Sequence, residues 1–492
     1  MNFSRRNLFL TASTGALAAL AARPSVARSQ GHEGHTVPMP QPANPPLAAR
    51  APDPSGPPAT PATQHAKGYV PVRTLNGWTL PHRMANGVKE FHLVAEEIDH
   101  EFAAGCRAKC WGYNGTTPGP TIEAVEGDRV RIYVTNRLGE HTSIHWHGIL
   151  LPSGMDGVGG LSQPHIKPGE TYVYEFTLKQ HGTHMYHPHA DEIVQLAYGM
   201  MGIFIIHPKG GELVPVDRDY CFILHNWALH PGTYRPDPAI LQDFDLWTFN
   251  SKVFPAIDPI VARTGERVRV RMANLSMWNH PIHMHGVQFH VTGSDGGRWP
   301  RALWRSESTE IVGVGQTRDI EFRAVPGDWA LHCHMAHHVM NAMGHEIPNP
   351  TGVDQTRVEQ KIRDMLPGYM AMGRYGMAEH QDHINMGHMR GPPNTLPMMW
   401  GEGPFGNLEM GGMFTVVKVR DTLARGDYGD PGWYRQPKGS VAWKLSDDPN
   451  FGQPVRRGSA PSEPVSVPPQ EEGQGTDPSK MAHSNMNESP RE

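Results

Sequence analysis

Cysteine is scarce: the 492 residues hold only 4. So few thiols in so long a chain exclude a disulfide-stapled scaffold and leave each cysteine to be explained singly. Charge of one sign is lacking too. The charged fraction is 19% and the formal net charge −5, which argues against nucleic acid or an anionic membrane as a partner. Beyond the N-terminal stretch no segment is apolar enough to span a bilayer. Histidine (30) and methionine (25) are in excess, a bias towards soft and borderline metals. The length leaves room for two or three domains with sizeable cores.

The first residues, MNFSRRNLFLTASTGALAALAARPSVARSQ, carry paired Arg5 and Arg6, an uncharged run from Asn7 to Ala22, and small residues at Ser25, Val26 and Ala27. Residues 1–27 read as a twin-arginine export signal, too short for a structural membrane helix, and predict a periplasmic or secreted protein. Residues 28–67 are rich in Pro and Ala and read as a disordered linker. A C-terminal extension follows residue 425, and from Gly458 onward it is too poor in apolar residues for a fold to be assigned.

Between these ends the chain repeats itself. GDRVRIYVTN at Gly127 matches GERVRVRMAN at Gly265, and the IHWHG around His145 matches the IHMHG around His283, both at an offset of 138 residues. Such a period indicates two copies of one domain, placed here at 68–212 and 213–425. Both copies alternate short β-branched and aromatic runs with Gly/Pro turns, the pattern of a β-sandwich. The copies differ where chemistry would differ: Thr142, Pro188 and Ile193 in the first stand where His280, Cys333 and His338 stand in the second.

The run from Trp329 to Met343, WALHCHMAHHVMNAM, holds one of the cysteines between two histidines. On an extended strand His332 and His334 share one face and Cys333 takes the other. Thiolate, imidazole and a distant thioether are the ligands of a blue-copper electron-transfer centre, while the bland alternative is a buried free thiol among satisfied histidines. Four HxH contexts occur in order: His145 and His147, His187 and His189, His283 and His285, His332 and His334. Four such strands would offer eight nitrogens, a surplus for one zinc and an argument for several metals.

These motifs, in order and spacing, resemble those of the multicopper oxidases (laccases, cuprous, bilirubin and manganese oxidases) over roughly residues 70 to 425. The resemblance implies an all-β chain of two cupredoxin-like Greek-key sandwiches, with a Met/His-rich insertion at 344–410 in the second. It implies type 1 copper on His280, Cys333 and His338 with Met343 as weak axial ligand, Met413 being the lesser candidate. It further implies type 2 copper on His145 and His283, and a type 3 pair on His147, His187, His189, His285, His332 and His334. Electrons from a small reducing substrate or metal ion (a phenol, Cu(I) or Mn(II)) would pass through Cys333 to the cluster, where dioxygen is reduced to water.

Asp156 stands where family members carry an acid near type 2 copper and is read as a proton relay or an orienter of bound water. At the other acidic position of the family this chain has His337. The insertion, with Met365, Met370, Met372, Met377, Met386 and Met389, reads either as a Cu(I)-delivering flap or as a surface loop. Cys106 and Cys110 on one strand are too far apart to bridge, and the pairing of these two and Cys221 is left open. The gap between His189 and His280 is too short for a middle domain. A shared cluster needs the two domains face to face, and the resemblance implies the arrangement of two-domain relatives, in which the first domain of one chain faces the second domain of its neighbour in a homotrimer. A copper nitrite reductase and a non-catalytic copper-binding protein are the competing readings; in the former family the blue-copper cysteine lies in the first domain.

Overall fold

The computed structural model describes residues 49–50, 69–339 and 401–443 except 213, 231, 243, 296 and 409, together with 357, 360, 361, 364 and 394. The expected export signal, Met343 and the methionines of the insertion named above lie outside the described residues.

Two β-sandwiches make up the described chain, as the alternating sequences predict. In the first, the strands Arg83–Ala85, Val88–Ala103, Arg129–Asn136 and Thr171–Thr177 form one sheet, with Cys106–Tyr113 paired to the far half of Val88–Ala103. The facing sheet runs Ile122–Val125, Gly202–His207, Gly182–His187, His145–His147. Along Arg129–Asn136, Val130, Ile132 and Val134 are buried while Arg129 faces out, the period of two that gives a sheet one apolar face. That face closes on Trp146, Tyr186 and Phe204 of the other sheet.

The second sandwich repeats the plan. Arg218–Trp227, Arg267–Asn274, Thr317–Arg323 and Phe289–Ser294 form one sheet; Ile260–Arg263, Phe414–Arg420, Gly327–Cys333, His280–Met284 and Thr309–Val312 form the other. Val268, Val270 and Ile320 pack against Leu331 and Val417 between them. The matching segments pair alike: Arg129–Asn136 lies antiparallel to Thr171–Thr177, as Arg267–Asn274 does to Thr317–Arg323. Each sheet mixes parallel and antiparallel neighbours, the mark of Greek-key rather than hairpin connections. Both cupredoxin-like sandwiches expected from the sequence are therefore present. One short strand crosses between them: Arg73–Thr74 runs parallel to Tyr220 and Cys221 in the second sandwich.

A third apolar cluster joins the sandwiches, with Phe102, Met185 and Ile203 against Ile223, Trp227 and Leu246. Beside it lies a buried polar clamp. Arg271 donates to Thr183 Oγ1 at 2.9 Å and Thr183 donates to Asp319 at 2.7 Å, while Arg269 and Arg271 both donate to Asp219. Val339 and Gly411 are adjacent, the Gly411 N–H donating to the Val339 carbonyl at 2.8 Å. A long insertion is tolerated there because its two ends are already adjacent.

Candidate metal centre

Strand register brings the histidines together. His145 stands opposite His187, and His283 opposite His332, on neighbouring antiparallel strands. The residue inside each HxH turns the other way: Trp146, Met284 and Cys333 are fully buried in the sandwich cores. Each domain thus presents four imidazoles from one edge of one sheet.

In the first domain the ligand atoms of His145, His147 and His187 lie within 4.8 Å of one another. His147 Nδ1 and His187 Nε2 are 3.2 Å apart. With metal–nitrogen bonds of about 2.0–2.1 Å, two ligands at a tetrahedral angle stand roughly 3.3 Å apart, so this pair has the spacing of ligands to one ion. The rings are held from behind. His145 Nδ1 donates to the Asp156 carbonyl at 2.8 Å and His187 Nδ1 to the Pro188 carbonyl at 2.9 Å, which leaves each Nε2 lone pair facing its neighbours. His189 completes the group, its ring 5.8 Å from that of His145.

The second quartet is built the same way. His285 Nε2 and His332 Nε2 are 3.1 Å apart, and the His283 ring lies 5.3 Å from that of His334. His283 Nδ1 is held by the Ser308 carbonyl at 2.7 Å and His332 Nδ1 by the Cys333 carbonyl at 2.8 Å. Burial lowers the pKa of His147, His285 and His332, and that of His187 to about 3, so all four are neutral donors at neutral pH.

The quartets do not meet. Among the described residues no ring contact joins a histidine of one quartet to a histidine of the other; outside its own quartet His332 packs on Phe414. The first lines a cavity of about 390 Å³ whose other wall comes from the second domain, including Phe244, Met277 and Val314. The second faces outward, with His285 and His334 exposed.

On the far side of Gly327–Cys333 lies a third group. His280 Nδ1, Cys333 Sγ and His338 Nδ1 converge, the three side chains fully buried. Sγ stands 3.7 Å from His280 Nδ1 and 3.3 Å from His338 Nδ1, and the two nitrogens are 3.1 Å apart. These spacings fit a trigonal His₂Cys site with metal bonds of about 2.0–2.3 Å. Ser276 Oγ lies 2.7 Å from His280 Nε2 and fixes the back of that ring. Burial pushes the Cys333 thiol up to about 12 and holds His338 down at about 3, so a metal would have to displace the thiol proton to bind. In the first domain, Thr142 instead donates to Gln195 Oε1 at 2.6 Å, which closes the corresponding space without a metal ligand.

Met413 is fully buried in the core cluster that holds Cys333. Its carbonyl accepts from the Cys333 N–H at 3.1 Å and its N–H donates to the His338 carbonyl at 3.0 Å. Asp156 Oδ1 lies 3.5 Å from His145 Nδ1. Sequence reasoning missed Glu192, whose carboxylate comes within 3.4 Å of His187 Nδ1, and the tryptophans around His338. It had no signal for them, since none lies in a motif. The three other cysteines are buried and free, which answers the open question of their pairing.

Two stretches match family models described as multicopper oxidase, residues 95–211 and 233–352. The chain is 47% identical over 115 residues to copper resistance protein A of Escherichia coli, covering 23% of this chain and 19% of that protein. It is 37% identical over 155 residues to an L-ascorbate oxidase of Brassica rapa subsp. pekinensis, covering 30% of this chain and 26% of that protein. These matches therefore span about a quarter or less of either relative's length. The solved blue copper oxidase of Nitrosomonas europaea aligns with a TM-score of 0.49 at 24% identity, over 67% of this chain and 85% of that one. With both family models falling on the two sandwiches that carry the histidine motifs, the chain belongs to the multicopper oxidase family.

Proposed function

We propose that the protein is an oxidase that takes electrons singly from a reducing substrate and delivers them to dioxygen, forming water. The observation that carries this reading is the placement of Cys333. Its thiol meets His280 and His338 on one face of the strand, while its chain neighbours His332 and His334 reach the opposite face. One short covalent path therefore connects a one-electron site to a multi-histidine site. Copper in these places would supply the one-electron chemistry at the first and dioxygen binding at the second.

The residues have separable roles in this reading. His280, Cys333 and His338 hold type 1 copper. We assign the axial position to Met413, which is buried in the core cluster that holds Cys333 and bonded through its main chain to Cys333 and His338. His145 and His283 hold type 2 copper, and His147, His187, His189, His285, His332 and His334 the type 3 pair. Asp156 orients His145 through its carbonyl and stands ready to pass protons through its carboxylate.

Completion of the cluster needs a second chain. Each chain carries two half-sites that do not touch, one opening into a cavity and one on the surface. A contact between the first quartet of one copy and the second quartet of the next is head-to-tail, and such contacts close into a ring; we assign a homotrimer. Phenols, Cu(I) and Mn(II) are the donors to compare.

The test is to load the purified chain with copper, count copper per chain, and measure the blue thiolate absorption and dioxygen uptake with each donor. A colourless protein, or one that consumes no dioxygen with any donor, overturns the reading. Turnover of nitrite instead would favour a reductase, and copper binding without turnover a storage role.

A further inference from the structure

Two strands of the second sandwich place like charges side by side. In the antiparallel pair Arg267–Asn274 and Thr317–Arg323, Arg267 stands directly opposite Arg323, so both side chains leave the same face of the sheet. Like charges in that register destabilise a sheet. The duplication shows which of the two is surplus. In the first sandwich Arg129 stands opposite Thr177, and its Nε donates to Glu175 at 2.7 Å. Arg267 keeps the matching partner, its Nε donating to Glu321 at 2.8 Å. Arg323 takes the place of Thr177. Its guanidinium donates to the Gly265 carbonyl at 3.0 Å and has no ion pair among the described residues.

Arg267 and Arg323 line a cleft of about 620 Å³, together with Arg301, Gln288 and Trp304. Arg301 is exposed, and among the described residues its guanidinium has neither an ion pair nor a hydrogen bond. The one carboxylate in the described lining, Glu321, is already shared. Arg267 holds one of its oxygens, and Arg298 Nη1 stands 2.6 Å from the other. Trp304 stiffens the wall: its indole N–H donates to the Trp299 carbonyl at 3.0 Å. The guanidinium carbons of Arg267 and Arg298 lie 5.4 and 4.9 Å from its ring centre.

We propose that this cleft binds a small organic dianion, either a phosphate monoester or a dicarboxylate, whose oxygens reach Arg301 and Arg323. Two guanidinium groups without an acidic partner call for two negative charges, and the planar fork of each matches a phosphoryl or carboxylate edge. A monoanion would leave one of them uncompensated. The cleft falls within the size range of pockets for whole small molecules, about 300–1,000 Å³. Val287 and Val325 in its wall offer apolar surface to the body of the ligand. None of the candidate copper ligands lines it, so binding here does not depend on the oxidase reading.

The test is titration calorimetry on the full-length protein at about 0.15 M salt with phenyl phosphate, phthalate and benzoate, three anions built on one ring. At least one of the two dianions should bind once per chain, and benzoate should bind about tenfold more weakly or worse. Preference for phenyl phosphate upholds the site for a phosphate monoester, and preference for phthalate upholds it for a dicarboxylate. Arg301→Gln and Arg323→Gln should each weaken the dianion by about tenfold or more. Gln288→Glu, which sets a negative charge in the wall, should do the same. Arg235→Gln removes an exposed arginine outside the cleft lining and is the control for net charge alone. All three replaced cleft side chains are exposed, so the fold should survive, as circular dichroism would show; if one variant fails to fold, the other two decide. No saturable binding of either dianion below roughly 10 mM overturns the proposal. So does benzoate binding as tightly as the dianions. Binding that the cleft variants weaken no more than Arg235→Gln does shows an adventitious ion only, and overturns it as well.

Discussion

The Cys333 N–H donates to the Met413 carbonyl at 3.1 Å, although a long insertion separates the two in sequence. The same methionine donates its own N–H to His338 at 3.0 Å, so its main chain is bonded to two members of the buried triad. Met413→Leu, which keeps the volume, should cost less than about 1.5 kcal/mol of stability and retain copper. It should raise the potential of the type 1 site and alter its visible spectrum, because a thioether has been removed. Met343→Leu should leave both unchanged. The reverse pattern would assign the axial role to Met343.

Replacing Cys333 with serine should abolish the blue band and the oxidase activity. A hydroxyl cannot supply the soft thiolate on which both depend. The fold should survive, with a loss of no more than about 1–3 kcal/mol, since the His280 and His338 nitrogens are close enough to partner the new hydroxyl. Circular dichroism and copper counting would show whether the rest of the cluster remains loaded. Normal turnover in this variant would exclude the electron route through residue 333.

A shared cluster predicts complementation between two inactive chains. One carries alanine at His145 and His187, the other at His283 and His332. Alone, neither can complete a cluster. Assembled together at random, about one interface in four pairs an intact first quartet with an intact second one, and roughly a quarter of wild-type activity should return. Light scattering on the wild type should give three chains. A fully active monomer would rule out the arrangement.

Asp156→Asn should retain copper, because His145 is held by the main-chain carbonyl of residue 156 at 2.8 Å rather than by the carboxylate. Turnover should nevertheless drop by about 10–100-fold if the carboxylate orients water or carries protons near the cluster. A variant with unchanged turnover across the pH range would reduce Asp156 to a turn residue.

The clamp between the domains should set the acid limit of the fold. Burial opposes ionisation of Asp219, but Arg269 and Arg271 outweigh it and hold the carboxyl at about 2. Its unfolded value is near 3.9. A group depressed in the folded state stabilises fully above its unfolded pKa, so this contribution is present above about pH 4 and is lost as the pH falls from there towards 2. Asp219→Asn leaves two buried guanidinium groups short of their partner and should cost about 3–5 kcal/mol at neutral pH, read by denaturant unfolding. It should also flatten stability between pH 4 and 2 relative to the wild type.

Much of the site is legible because its parts are local. An HxH pair on a strand needs only the period of two to put both imidazoles on one face, and Trp146 or Cys333 on the other. The duplicated GDRVRIYVTN and GERVRVRMAN segments mark equivalent strands, and both form the same antiparallel pair in the structure. Met413 was harder to read. The insertion moves the final strand far from His338 in sequence, and the contact of Gly411 with Val339 brings Met413 beside Cys333 and His338. Glu192 on a short helix, Trp247 on a strand, and Ser276 and Trp278 on one loop belong to no motif.

The order and spacing of the histidine motifs, and of Cys333 and His338, follow from sequence alone, because strand periodicity and short spacings dictate which side chains share a face. The tertiary structure decided how those faces lie relative to one another. Docking of the two sandwiches through Phe102, Met185 and Trp227, with the Asp219 clamp beside them, keeps the two histidine quartets of one chain apart. Packing within the second sandwich seals His338 behind Trp247 and Trp278. Neither outcome is encoded in local periodicity, because both depend on which apolar surfaces, distant in sequence, are buried against each other.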